Sequence, residues 1–116
     1  MNEDLLFHIA PKNEWHKQQR FGLYRPELRE EEGFIHCSLP SQIKKVANTH
    51  FAGQKNLYLI VIDRNSITSP VKMEDTAGEG EQYPHIYGPL NLDAVLDKIR
   101  LDSTEDGTFD IEFESN

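Results

Sequence analysis

His36, Cys37 and Ser38 set an imidazole, a thiol and a hydroxyl side by side, directly after the apolar pair Phe34-Ile35. On extended backbone alternate side chains share a face, so His36 and Ser38 point one way and Cys37 the other. A His-x-Ser pair of this kind can hold the hydroxyls of one sugar-like ligand. A second unusual stretch, Tyr83-Pro84-His85-Ile86-Tyr87-Gly88-Pro89-Leu90, packs a histidine and two tyrosines between two prolines and a glycine. Such stiff backbone suits a pocket wall. Between the two lies Val71-Lys72-Met73-Glu74, whose alternation places Lys72 and Glu74 on one face of a short strand. Together His36, Ser38, Glu74, His85 and Tyr87 make a candidate polar cleft. Glu74 and His85 would carry acid–base chemistry, and the aromatic rings could stack a flat heterocycle. Tyr24 and Arg25, in the loop ahead of Gly33, are further candidates for ligand contact.

Each residue also has a plain reading: His36 as a satisfied core histidine, Ser38 as a helix cap, Glu74 as a surface carboxylate. The case for a site is their co-occurrence. Cys37 could pair with His85 as a nucleophile, but a lone cysteine beside an apolar dipeptide is more often core. A zinc site needs three or four Cys or His ligands at close spacing. Only His36, Cys37 and His85 could converge, and neighbours on a strand diverge, so no metal site is expected.

Composition narrows the classes. The 116 residues support one domain, with its core over about Leu5 to Phe113. The formal net charge of −8 argues against a binder of duplex nucleic acid. A small anionic ligand needs only a few cations, and Arg20, Arg25 and Arg29 could supply them. No apolar run approaches the roughly 18 residues of a membrane span. The acidic start Met1-Asn2-Glu3-Asp4 lacks the basic region of a secretion signal. A single cysteine suits a reducing cytosol, so the expected location is cytoplasmic.

The elements follow in order. Leu5 to Ala10 has the apolar density of a buried strand, ended by Pro11. Asn13 would cap a short helix carrying Trp15, with Gly22 as its left-handed stop. Gly22 to Glu32 reads as a loop. Beyond Ser38, Pro40 suits a helical first turn, and Ile43, Val46 and Ala47 recur at helical spacing up to Gly53. Ser38 would then sit near an N-terminus that favours an anion. Leu57 to Asp63 is the clearest strand, apolar enough to be covered on both faces. Asp75 to Gln82, with Gly78 and Gly80 among acidic residues, is a loop. Asn91 or Asp93 starts one short helical turn, and Val95, Ile99 and Leu101 suggest a strand. Thr104-Glu105-Asp106-Gly107 signals a hairpin into a last strand on which Phe109, Ile111 and Phe113 alternate with acids. The sum is an α+β fold without a Gly-rich dinucleotide or P-loop motif.

The strand-plus-Trp opening, Gly-Phe-Ile-His-Cys-Ser before a helix, Leu-Ile-Val-Ile-Asp, Met-Glu and Tyr-Pro-His-Ile-Tyr-Gly-Pro-Leu resemble the bacterial domain-of-unknown-function 952 family, from about Leu5 to Leu101. That family looks like a compact relative of the ADP-ribosyltransferase fold. The resemblance implies a split or strongly bent, mostly antiparallel β-sheet with two to three helices. It further implies a cleft for NAD, ADP-ribose or another phosphorylated nucleotide, and transferase activity. His36 and Ser38 resemble the ribose-holding His-x-Ser of such folds, and Glu74 with His85 and Tyr87 would complete the set. Here the order along the chain departs from the usual His, Tyr, Glu. The alternative is a non-catalytic interaction module, monomer or homodimer, in which an exposed Tyr83–Leu90 ridge docks a partner.

Overall fold

Leu57-Tyr58-Leu59-Ile60-Val61-Ile62-Asp63 forms strand β5, flanked on both sides by antiparallel neighbours in a computed structural model that describes residues 4–26 and 33–111. Its neighbours are β1 (Leu5–Pro11) and β9 (Val95–Leu101), with Phe7 opposite Val61 and Leu59 opposite Ile99. Both faces of β5 are covered, as its continuous apolar run requires. Ile60 and Ile62 face a core with Leu6, Ala10 and Trp15, the last on α1 (Lys12–Lys17). Leu57 and Leu59 face a second core with Phe7, Ile9 and Ile43, the last on α2 (Ile43–His50). A bulge at Val61/Ile62 shifts the register to β9.

Two smaller antiparallel sheets complete the α+β domain. One joins β2 (Gln19–Arg20), β3 (Leu23–Tyr24) and β8 (Leu90–Asn91). The other joins β4 (Ile35–His36), β7 (Tyr83–Ile86) and β6 (Val71–Glu74), with β7 in the middle. Ile35 and Ile86 point from this last sheet into the first core, so the alternate residues, His36 and His85 among them, take the opposite face. Two 3-10 turns, Arg64–Ser66 and Leu92–Ala94, link the strands. Gly88 turns the chain from β7 to β8 at φ 140°, against Ser69: a Cβ there would lie 2.6 Å from the Ser69 Oγ.

Four local expectations change. Gly22 does not stop a helix: α1 ends at Lys17, and Phe21 and Gly22, with φ of 53° and 75°, form the two-residue tip of the β2–β3 hairpin. Ser38 caps no helix. α2 begins five residues later, after a turn in which the Leu39 carbonyl accepts from the N–H groups of Gln42 and Ile43. The Thr104–Gly107 turn forms, but residues 108–111 make no strand; Phe109 and Ile111 are buried under α2 instead, and Phe113 lies outside the described residues. The Tyr83–Leu90 stretch is no exposed ridge: Pro84, His85, Ile86 and Leu90 are all buried.

Candidate functional site

Where β1 and β4 part, the sheets open a cleft. Phe7 and Ser38 exchange two backbone hydrogen bonds, Phe7 N to Ser38 O at 2.8 Å and Ser38 N to Phe7 O at 2.7 Å. A continued ladder would set Ile9 opposite His36. Instead the His36 carbonyl accepts the His8 Nδ1–H at 2.7 Å, so a side chain fills the place of the missing rung. From this divergence a cleft of about 400 Å³ opens. Its walls are Phe7, His8 and Ile9 of β1; His36, Cys37 and Ser38; Ile43, Val46, His50 and Phe51 at α2; Thr76, Ala77 and Glu79; and Tyr83 and His85 of β7.

The polar face of the β4–β7–β6 sheet builds the chemistry. His36 and His85 are directly opposed across β4 and β7, their rings edge to face at 5.1 Å between centroids. Glu74 lies at the end of β6, whose pairing with β7 brings it beside His85. Glu74 Oε1 accepts from His85 Nδ1 at 2.9 Å and from the Tyr87 hydroxyl. The Tyr87 hydroxyl and the His85 ring, in that order, hold the Glu74 carboxyl below its ordinary range, so it is the ionised, acceptor-only partner. The same bond raises Tyr87 above the ordinary phenol value. Phe34 lies flat on His85, with centroids 4.0 Å apart and planes within 12°.

Two buried polar atoms of the cleft wall lack a partner among the described residues. His85 is 1% exposed, its Nδ1 is taken by Glu74, and no group among the described residues bonds its Nε2. Ser38 is 3% exposed, and its hydroxyl makes no hydrogen bond among the described residues. A buried hydroxyl or ring nitrogen left unpaired costs free energy, a cost that a bound polar ligand removes. A histidine with its Nδ1–H held by a carboxylate has its Nε2 lone pair directed away from that carboxylate, the arrangement of a general base.

Of the residues picked from sequence, His36, Ser38 and His85 line the cleft, and Glu74 and Tyr87 stand behind His85. Tyr24 and Arg25 lie elsewhere. Tyr24 is fully buried against Trp15, its hydroxyl 3.3 Å from both His8 Nε2 and Glu14 Oε2, and Arg25 is exposed outside the cleft. Arg20 is likewise exposed outside it, and Arg29 falls outside the described residues. Burial pushes the Cys37 thiol far above the ordinary range, which removes the thiolate a nucleophile needs. Among the described residues no group of three or more His, Cys, Asp or Glu is placed to hold a metal ion.

Sequence reasoning missed Phe34, His8 and the wall from Thr76 to Glu79. Phe34 was findable, since it precedes His36 by two and must share its face. His8 shows no partner spacing at all. The Thr76–Glu79 wall depends on contacts far apart in sequence. Asp75 gathers the Glu79 and Gly80 N–H groups at 3.0 and 2.7 Å, while Gln42, just ahead of α2, donates to Glu81 at 3.0 Å and to the Gln82 carbonyl at 2.7 Å. Lys45 pairs with Glu81 beside them.

A family described as a protein of unknown function, DUF952, matches residues 9–98. No curated protein matches the chain. Among solved structures, the chain is similar to the crystal structure of protein CC0527 from Caulobacter crescentus, at 30% identity over 91% of this chain and 93% of that one, with a TM-score of 0.80. The solution structure of CC0527 gives 30% identity, 90% of each chain and a TM-score of 0.76. No helix among the described residues is long and apolar enough to cross a membrane.

Proposed function

The chain belongs to DUF952, a family of proteins of unknown function, and from that membership and the cleft we propose an acid–base enzyme acting on a ribosyl ligand, with His85 as the base. The observation that carries this reading is the Glu74–His85 pair: the carboxylate holds Nδ1 at 2.9 Å and leaves at the cleft wall a buried Nε2 with no partner among the described residues. Ser38 and His36 supply the polar contacts for ligand hydroxyls. The ligand class is a nucleoside or nucleotide, with NAD and ADP-ribose as the substrates implied by an ADP-ribosyltransferase-like kinship. What supports that kinship is the parting of β1 and β4 beside a His-x-Ser pair.

The reaction suited to these groups is ribosyl transfer. His85 Nε2 takes the proton of an attacking hydroxyl or water as its oxygen bonds C1′ of the ribose. The bond from C1′ to the heterocycle breaks, and the heterocycle leaves with the electron pair. General base catalysis of this kind contributes about 10²–10⁴ in rate. Calorimetry with NAD, ADP-ribose and adenosine, followed by a release assay on whichever binds, tests the reading. His85→Ala should keep binding within a few fold and lose turnover by about a hundredfold or more. Silence of all three ligands, or an unchanged turnover in His85→Ala, overturns it.

A further inference from the structure

Resting on that reading, we infer that the cleft takes the nucleoside part of its ligand and excludes phosphate. The walls hold no lysine or arginine among the described residues. The nearest lysine on α2, Lys45, is paired to Glu81. At the N-terminus of α2 the Gln42 and Ile43 N–H groups are both taken by the Leu39 carbonyl, at 2.9 and 3.1 Å. The wall's one carboxylate, Glu79, is exposed and has no cationic partner among the described residues. Histidine supplies a full positive charge only in acid. A phosphate drawn into this cleft would lose its water without meeting a lysine or arginine on the wall among the described residues. A neutral or cationic nucleoside meets the opposite situation. Its hydroxyls pair with Ser38 Oγ, which leaves His85 Nε2 to the attacking hydroxyl or water, and its apolar faces rest on Phe7, Ile9 and Val46. The cleft volume of about 400 Å³ is that of a single small ligand.

Paired titrations at pH 8 test this, with adenosine against its 5′-monophosphate and nicotinamide riboside against its mononucleotide. The nucleoside of each pair should bind at least about tenfold tighter, equivalent to about 1.4 kcal/mol. Glu79→Lys, an exposed substitution, should narrow that gap by raising the affinity of the monophosphates. Ser38→Ala should weaken nucleoside binding about tenfold with the unfolding temperature little changed. A monophosphate that binds as tightly as its nucleoside or tighter overturns the exclusion of phosphate. If that binding supports turnover lost in His85→Ala, the acid–base reading survives the loss. Silence of all four compounds overturns the nucleoside inference, and the acid–base reading falls with it only if NAD and ADP-ribose are silent too.

Discussion

At the scale of single residues, Glu74 decides how the site behaves, because one carboxylate oxygen serves both His85 and Tyr87. Its folded pKa lies below the ordinary 4.5, so its contribution to stability is present above that value and is lost as pH falls through the folded pKa. Tyr87 is raised above its ordinary 10.0, so the same bond persists until pH climbs through the folded phenol value. Glu74→Gln should therefore lower the unfolding temperature between these limits, and the difference from the native protein should shrink below about pH 4.5. A deficit that stays constant into acid would show that Glu74 acts through packing alone. His36, Ser38, Glu74, His85 and Tyr87 were legible as one group because strand alternation fixes faces before any contact is known. Tyr24 was misplaced for the converse reason. A tyrosine before Arg-Pro looks like loop, whereas its ring is held by Trp15 and its hydroxyl by His8 and Glu14, residues nine to sixteen positions away.

At the scale of elements, long apolar runs announced themselves and short pairings did not. β1, β5 and β9, seven residues each, are where periodicity or continuous apolarity pointed. The two-residue strands β2 and β3 carry too few residues for a pattern, and their hairpin was hidden by the absence of an Asn-Gly or Asp-Gly signal. Phe21 occupies instead the left-handed position that asparagine tolerates and a bulky residue resists. Its side chain is 98% exposed, so it returns no packing for that strain. Phe21→Asn should accordingly stabilise the protein by about 1 kcal/mol, read as a higher urea midpoint at unchanged slope. A lower midpoint would mean that the Phe21 ring is covered in solution. The failed expectation at Ser38 has the same origin. Proline at 40 fits the first turn of a helix, yet the backbone of Ser38 is claimed by Phe7, and the helix cannot start until the chain has left that bridge.

At the scale of the whole molecule, the cleft exists because one three-stranded sheet serves two cores. β1 and β5 give Leu6, Ala10, Ile60 and Ile62 to the core under α1, and Phe7, Ile9, Leu57 and Leu59 to the core under α2. The β4–β7–β6 sheet leans on the first core through Ile35 and Ile86, while α2 leans on the second, so the space between them is bounded by both. Neither core can be lost while β1 and β5 stay paired, since each strand would then expose a full apolar face to water at roughly 25 cal/mol per Å². Unfolding should therefore be a single transition. Trp15 fluorescence reports the first core and far-UV circular dichroism reports all the strands, so their urea curves should coincide. An early fluorescence change ahead of the dichroism would mean that the α1 core opens alone. The cleft would then lose the backing of His8, whose ring bridges β1 to His36 at the point where the strands divide.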